Sequence, residues 1–109
     1  MQFDVDEPLL QEVVHRLVEA IDPDRIILFG SRARGDAKPD SDIDLLIIKD
    51  SPDPPHRRVV AAYRALAGFE VPTDILWRTS EEIEDWSGVK NYVATRAIRE
   101  GRVLYEKQH

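Results

Sequence analysis

Two short runs limit what this chain can fold into: Arg25-Ile26-Ile27-Leu28-Phe29 and Asp42-Ile43-Asp44-Leu45-Leu46-Ile47-Ile48. Each is rich in β-branched or aromatic residues and too short for a helix, so each reads as a strand. The first is a buried strand that runs straight into Gly30-Ser31-Arg32-Ala33-Arg34-Gly35. The second alternates charge with hydrophobe in its first half, and Lys38-Pro39-Asp40-Ser41 reads as the turn before it. Ahead of both, Leu9, Leu10, Val13, Val14, Leu17, Val18 and Ile21 recur at helical spacing from Pro8 to Ile21, with Asp6 as N-cap and Asp22-Pro23 as the stop. His15 falls on the solvent side of that helix. After a polar, proline-rich loop at 51–55, a second amphipathic helix is expected to place Val59, Val60, Tyr63, Leu66 and Ala67 on one face, with Gly68 just past its end. Residues 70–77 read as a third strand, in which Pro72 marks an edge or a start. Thr79 and Glu82 have capping-box spacing for a short helix to about Trp86. A last helix over 90–100 stops at Gly101 and leads into a terminal strand, Arg102-Val103-Leu104-Tyr105.

The 109 residues suit one domain built on a single core, and 42% apolar with 33% charged residues is the composition of a soluble globular protein. The balance of 15 basic against 21 acidic side chains, −6 formally, excludes wrapping of nucleic acid by bulk charge. With no cysteine, disulfides and thiolate metal sites are excluded, and His15, His56 and His109 have no zinc-type spacing. Asp4, Asp6 and Glu7 precede any apolar run, and no stretch approaches the roughly 20 apolar residues of a membrane span. The expected location is the cytoplasm.

The chemistry concentrates between residues 30 and 44. A strand, then Gly30-Ser31, then a segment able to form a helical turn aims backbone N–H groups and the Ser31 hydroxyl beyond the strand end, where they can cradle a phosphate. Gly30 allows close approach and Gly35 a positive φ. Taken alone, a Gly-Ser at this place is a tight turn. Gly30 and Gly35 share the glycine spacing of a P-loop, but Asp36 and Ala37 stand where that motif needs Lys and Ser or Thr. Asp42 and Asp44 head the second strand on one face, about 6 to 7 Å apart. At an effective dielectric near 20 such charges repel by about 3 kcal/mol. A partly buried pair therefore favours a cation between them or a raised pKa on one member. The alternative is a solvated, Asp-rich turn. An EF-hand is excluded, since Leu45 replaces its glycine and Ser51 its final glutamate.

Gly30-Ser31, ten intervening residues and Asp42-Ile43-Asp44 together resemble the signature of the DNA polymerase β nucleotidyltransferase superfamily. The wording Leu28-Phe29-Gly30-Ser31-Arg32-Ala33-Arg34-Gly35 with Ser41-Asp42-Ile43-Asp44-Leu45-Leu46 is similar to its smallest prokaryotic branch, the minimal nucleotidyltransferases, as is the tail Arg99-Glu100-Gly101 with Val103-Leu104-Tyr105-Glu106. The resemblance implies an α+β fold, a small mixed β-sheet flanked by helices. It also implies a third carboxylate on a later strand, for which Asp74 is the match and a solvent-facing sheet aspartate the alternative.

By the same resemblance, the reaction is transfer of AMP from ATP to a hydroxyl. Gly30 and Ser31 would hold the β and γ phosphates, and Asp42, Asp44 and Asp74 would bind two magnesium ions, with Asp74 taking the proton of the attacking hydroxyl. Arg32 and Arg34 are the nearest cations and are candidate nucleotide-binding residues, against a solvated or partner-binding role. Trp77 and Trp86 fit a core or interface role better than stacking on a base. The chain leaves no residues for an acceptor-binding domain, so the acceptor is expected to be a partner protein. The family implies a HEPN-type toxin modified on a tyrosine, with this chain as its antitoxin and the two able to form a hetero-oligomer. An antitoxin that neutralises by binding alone and a free-standing transferase with a small-molecule acceptor are the other readings.

Overall fold

A computed structural model of the chain describes residues 2–3, 8–35, 42–69, 71–86 and 93–108. In chain order the elements are β1 (Gln2–Phe3), α1 (Pro8–Ile21), β2 (Arg25–Phe29), α2 (Ser31–Arg34), β3 (Ile43–Ile48), α3 (Pro55–Ala65), β4 (Thr73–Arg78), α4 (Ser80–Trp86), α5 (Val93–Glu100) and β5 (Arg102–Glu106). The expected N-cap Asp6, the turn at 38–41, Glu70 and the start of the last helix at 90–92 lie outside the described residues. The strands form one mixed sheet in the order β1-β5-β2-β3-β4. β2 is antiparallel to both β3 and β5, whereas β3 and β4 run parallel and are joined by the α3 crossover. No helix among the described residues is long and apolar enough to cross a membrane.

Helices cover both faces of the sheet, which is why the strands read as nearly continuous apolar runs. On one face Ile26, Leu28, Ile43, Leu45, Ile47, Ile75 and Trp77 pack under α1 and α3, against Leu10, Val13, Val14, Leu17, Ala62 and Leu66. On the other, Ile27, Leu46 and Ile48 pack with Ala94 and Ala97 of α5. The single core expected from chain length is thus two clusters, because strand side chains alternate and both faces need cover. The β2–β5 ladder slips between Ile26 and Ile27. That bulge puts the consecutive residues Leu104 and Tyr105 into the same cluster, against the period of two.

Several boundaries differ from the sequence reading. β3 begins at Ile43 and leaves Asp42 just outside, because the Ile43 N–H, donated to the Pro72 carbonyl at 2.9 Å, opens the bonding to the β4 side. Pro55 is not loop but the first residue of α3, a position where proline's missing N–H costs nothing. α3 is also rotated from expectation. Val59 and Leu66 pack inward, but Val60 and Tyr63 are exposed, as is Ala67, while Arg58 and Ala62 are buried. The cause is Arg58, whose guanidinium turns inward to Glu82. Tyr63 instead reaches the open edge of β4, where its hydroxyl oxygen accepts the Ile75 N–H at 3.0 Å. The capping box of α4 is formed in both directions: Glu82 N donates to Thr79 Oγ1 at 3.1 Å and Thr79 N to Glu82 Oε1 at 2.8 Å. β1, two residues long, carries no periodicity from which it could have been anticipated.

Candidate active site

At the C-terminal end of β2, Gly30 has φ 75° and ψ −156°, a region open in practice only to glycine. Its position is fixed a second way: a Cβ there would land on the Asp44 carboxylate, overlapping Oδ2 and lying 3.1 Å from Cγ. The turn starts α2, which closes with Arg34 N donating to the Gly30 carbonyl at 3.2 Å and stops at Gly35 in the left-handed region. The first N–H groups of any helical turn lack partners within it, and Gly30 offers no side chain to cap them. Gly30→Ala is therefore expected to cost about 1 to 3 kcal/mol of stability. It should also displace the Asp44 carboxylate, lowering activity beyond what the stability loss explains. Thermal melting and transfer rates on the folded fraction check this.

The carboxylates are placed by the sheet. Phe29 pairs with Asp44 across β2 and β3, and Asp44 pairs with Asp74 across β3 and β4. In a parallel ladder residues in register point to the same face, with strands about 4.8 Å apart. Asp44 and Asp74 are thus neighbours on the face shared with Leu46 and α5. Asp42, two residues before Asp44, is exposed at the strand mouth, and Asp74 is exposed near the start of the edge strand, whereas Asp44 is partly buried. The Asp44 carboxyl is pushed above the ordinary carboxylate range, first by burial and then by the charges of Asp74 and Asp42, with the Arg34 guanidinium opposing. These four groups act on one another at one end of the sheet.

Beside them lies a cavity of about 160 Å³ between the end of β2 and α5, lined by Phe29, Gly30, Arg34, Val93, Arg96, Ala97 and Glu100. Of the residues singled out in the sequence, Gly30 and Arg34 line this cavity, Asp42, Asp44 and Asp74 lie beside it at the end of the sheet, and Ser31 and Arg32 sit on the same turn as Gly30, partly buried. Trp77 does not belong to the site. It is turned to the opposite face, 4% exposed, with Nε1 donating to the Lys49 carbonyl at 2.8 Å. Trp86 is 49% exposed at the end of α4. Arg96 was not singled out in the sequence, and Glu100 only as part of the C-terminal tail. The spacing of 93, 96, 97 and 100 marks one helical face, but only the fold shows that this face looks toward Gly30.

Among the described residues no three carboxylate or imidazole groups are already gathered into a metal-ready cluster. The donor set nevertheless fits a hard divalent cation. Its candidates are all carboxylates, burial and then the neighbouring charges of Asp74 and Asp42 raise Asp44, and magnesium takes only one or two carboxylates beside water and phosphate oxygens.

The sequence matches the model of the nucleotidyltransferase domain family over residues 9–102. In fold it is similar to a chain from a structure described as the crystal structure of the toxin-antitoxin with AMP-PNP. The two share 18% identity at a TM-score of 0.65, over 91% of this chain and 74% of the other. No curated protein sequence matches it.

Proposed function

The chain belongs to the nucleotidyltransferase domain family, and from that premise we propose that it transfers AMP from ATP to a tyrosine hydroxyl of a HEPN-type toxin and so acts as the antitoxin. The observation that carries this reading is the contact of Gly30 with the Asp44 carboxylate, which brings a turn suited to phosphate against Asp44 and its register partner Asp74. The fold neighbour, described as a toxin-antitoxin with AMP-PNP, supports both the nucleotide and the kind of partner.

In this reading Ser31 and the backbone of the Gly30 turn bind the β and γ phosphates, and Arg32 and Arg34 add positive charge. Asp42, Asp44 and Asp74 would hold magnesium, which when bound neutralises the charge on the attacking and leaving oxygens. The acceptor oxygen bonds to the α-phosphorus as the bond from that phosphorus to pyrophosphate breaks. Asp74, exposed near the sheet edge, takes the hydroxyl proton. The protein's own contribution is mainly positioning.

Incubation with ATP, magnesium and the partner toxin is expected to add the mass of one AMP to a toxin tyrosine, and the Asp42→Asn, Asp44→Asn double variant to add none. A toxin left unmodified by the parent chain would sink the reading. The exposed Trp86 and Val93, 49% and 50% accessible, favour a second one in which neutralisation is by contact. In that case the double variant still rescues growth from the toxin.

A further inference from the structure

Arg96 lies outside the sequence motif, on a different helix from Arg34, yet both line the cavity behind Gly30. We infer that Arg96 is a second cation for the two terminal phosphates of the nucleoside triphosphate, an inference that rests on the nucleotidyl-transfer reading. Four observations lead there. The first is continuity: Gly30 lines the cavity and also touches Asp44, so the cavity and the carboxylate adjoin the same residue. A chain of phosphates can run from the carboxylates across Gly30 into the cavity. The second is charge. In a protein of formal charge −6, the cavity holds two guanidiniums and one carboxylate, a local positive excess.

The third is how loosely Arg96 is engaged. Its Nη2 stands 3.8 Å from Glu100 Oε2, and Glu100 Oε1 stands 3.8 Å from Arg99. A formed charge-assisted bond spans about 2.7 to 2.9 Å. Glu100 therefore orients Arg96 without consuming its donors, and a phosphate presenting two oxygens to the guanidinium fork can displace it. The fourth is lining: Phe29, Val93 and Ala97 place apolar groups beside the two guanidiniums, which strengthens an ion pair formed there with phosphate.

The test is calorimetric binding of ATP, inorganic pyrophosphate and AMP, with magnesium, to the parent chain, Arg96→Ala and Arg96→Lys. Because the Arg96 side chain is 57% exposed, both variants should melt as the parent does. Arg96→Ala is expected to bind ATP and pyrophosphate about 10- to 100-fold more weakly and AMP unchanged, with Arg96→Lys recovering part of the loss. Pyrophosphate binding that is equal in Arg96→Ala and the parent overturns the inference alone, as does an equal loss for AMP. A parent chain that binds neither ATP nor pyrophosphate overturns the nucleotidyl-transfer reading with it.

Discussion

Asp44→Asn is expected to lower nucleotidyl transfer at least about 100-fold while raising the melting temperature of the metal-free protein. The loss follows from removing the carboxylate that lies between Asp42, Asp74 and Gly30. The gain follows from the same crowding. Burial and the charges of Asp74 and Asp42 hold the folded carboxyl above its ordinary value of 3.8. Between that value and the raised one the folded state binds more protons than the unfolded chain. Stability therefore falls as pH rises through this window, and the full cost persists above it. Asparagine carries no charge and escapes that cost. In EDTA at neutral pH the variant should melt above the parent, and the gap should close as pH drops below 3.8. An inactive variant that melts lower than the parent would mean that Asp44 supports the fold more than the chemistry.

Glu82→Ala is expected to be the most destabilising change away from the site, at about 3 kcal/mol. Arg58 has a side chain only 2% exposed, and its Nη2 donates to Glu82 Oε2 at 2.8 Å. Among the described residues its Nε and Nη1 are buried without a partner. Removing Glu82 leaves that charge buried with nothing opposite it, and also opens the α4 capping box. Since Glu82 is itself a third exposed, the cost belongs at the low end of the range for broken buried pairs. Arg58→Met added to Glu82→Ala should recover the part of it that comes from the unpaired buried charge, leaving the cost of the opened capping box. The pH dependence has the opposite sign from that of Asp44. Burial tends to raise the Glu82 carboxyl, but the Arg58 guanidinium and the Thr79 amide outweigh it and hold it below 4.5. The stability this contributes is present above 4.5 and is lost as pH falls through the depressed value. Chemical denaturation across that range should show the acid loss in the parent and little of it in Glu82→Ala. A cost below about 0.5 kcal/mol would place the pair with ordinary surface ion pairs.

The parts of the fold legible in the sequence are those written in local signals. α1 and β2 have their predicted limits, since an unbroken apolar period and a five-residue β-branched run each admit one reading. The α4 capping box could be seen from two residues. The face of α3 could not, because a buried arginine is indistinguishable from a solvated one until its partner, 24 residues away, is in place. In the candidate site, Gly30, Asp42 and Asp44 lie in one continuous stretch and could be read together. Asp74 needed the resemblance to be picked out, and the parallel register of β3 and β4 to be set beside Asp44. Arg96 was invisible because nothing local distinguishes a cation facing a cavity from one facing water.

That register also has a kinetic side. Asp44 and Asp74 are 30 positions apart and meet only when the α3 crossover has closed and β4 has docked at the sheet's open edge. Pairings so distant in sequence form late, after the loop-closure entropy has been met. A slip of β4 by one residue would send Asp74 to the α1 and α3 side and bring its apolar neighbours to the acid face. The acid trio therefore exists only in a chain that has finished folding in the right register, so half-made or misregistered copies would lack the complete carboxylate set.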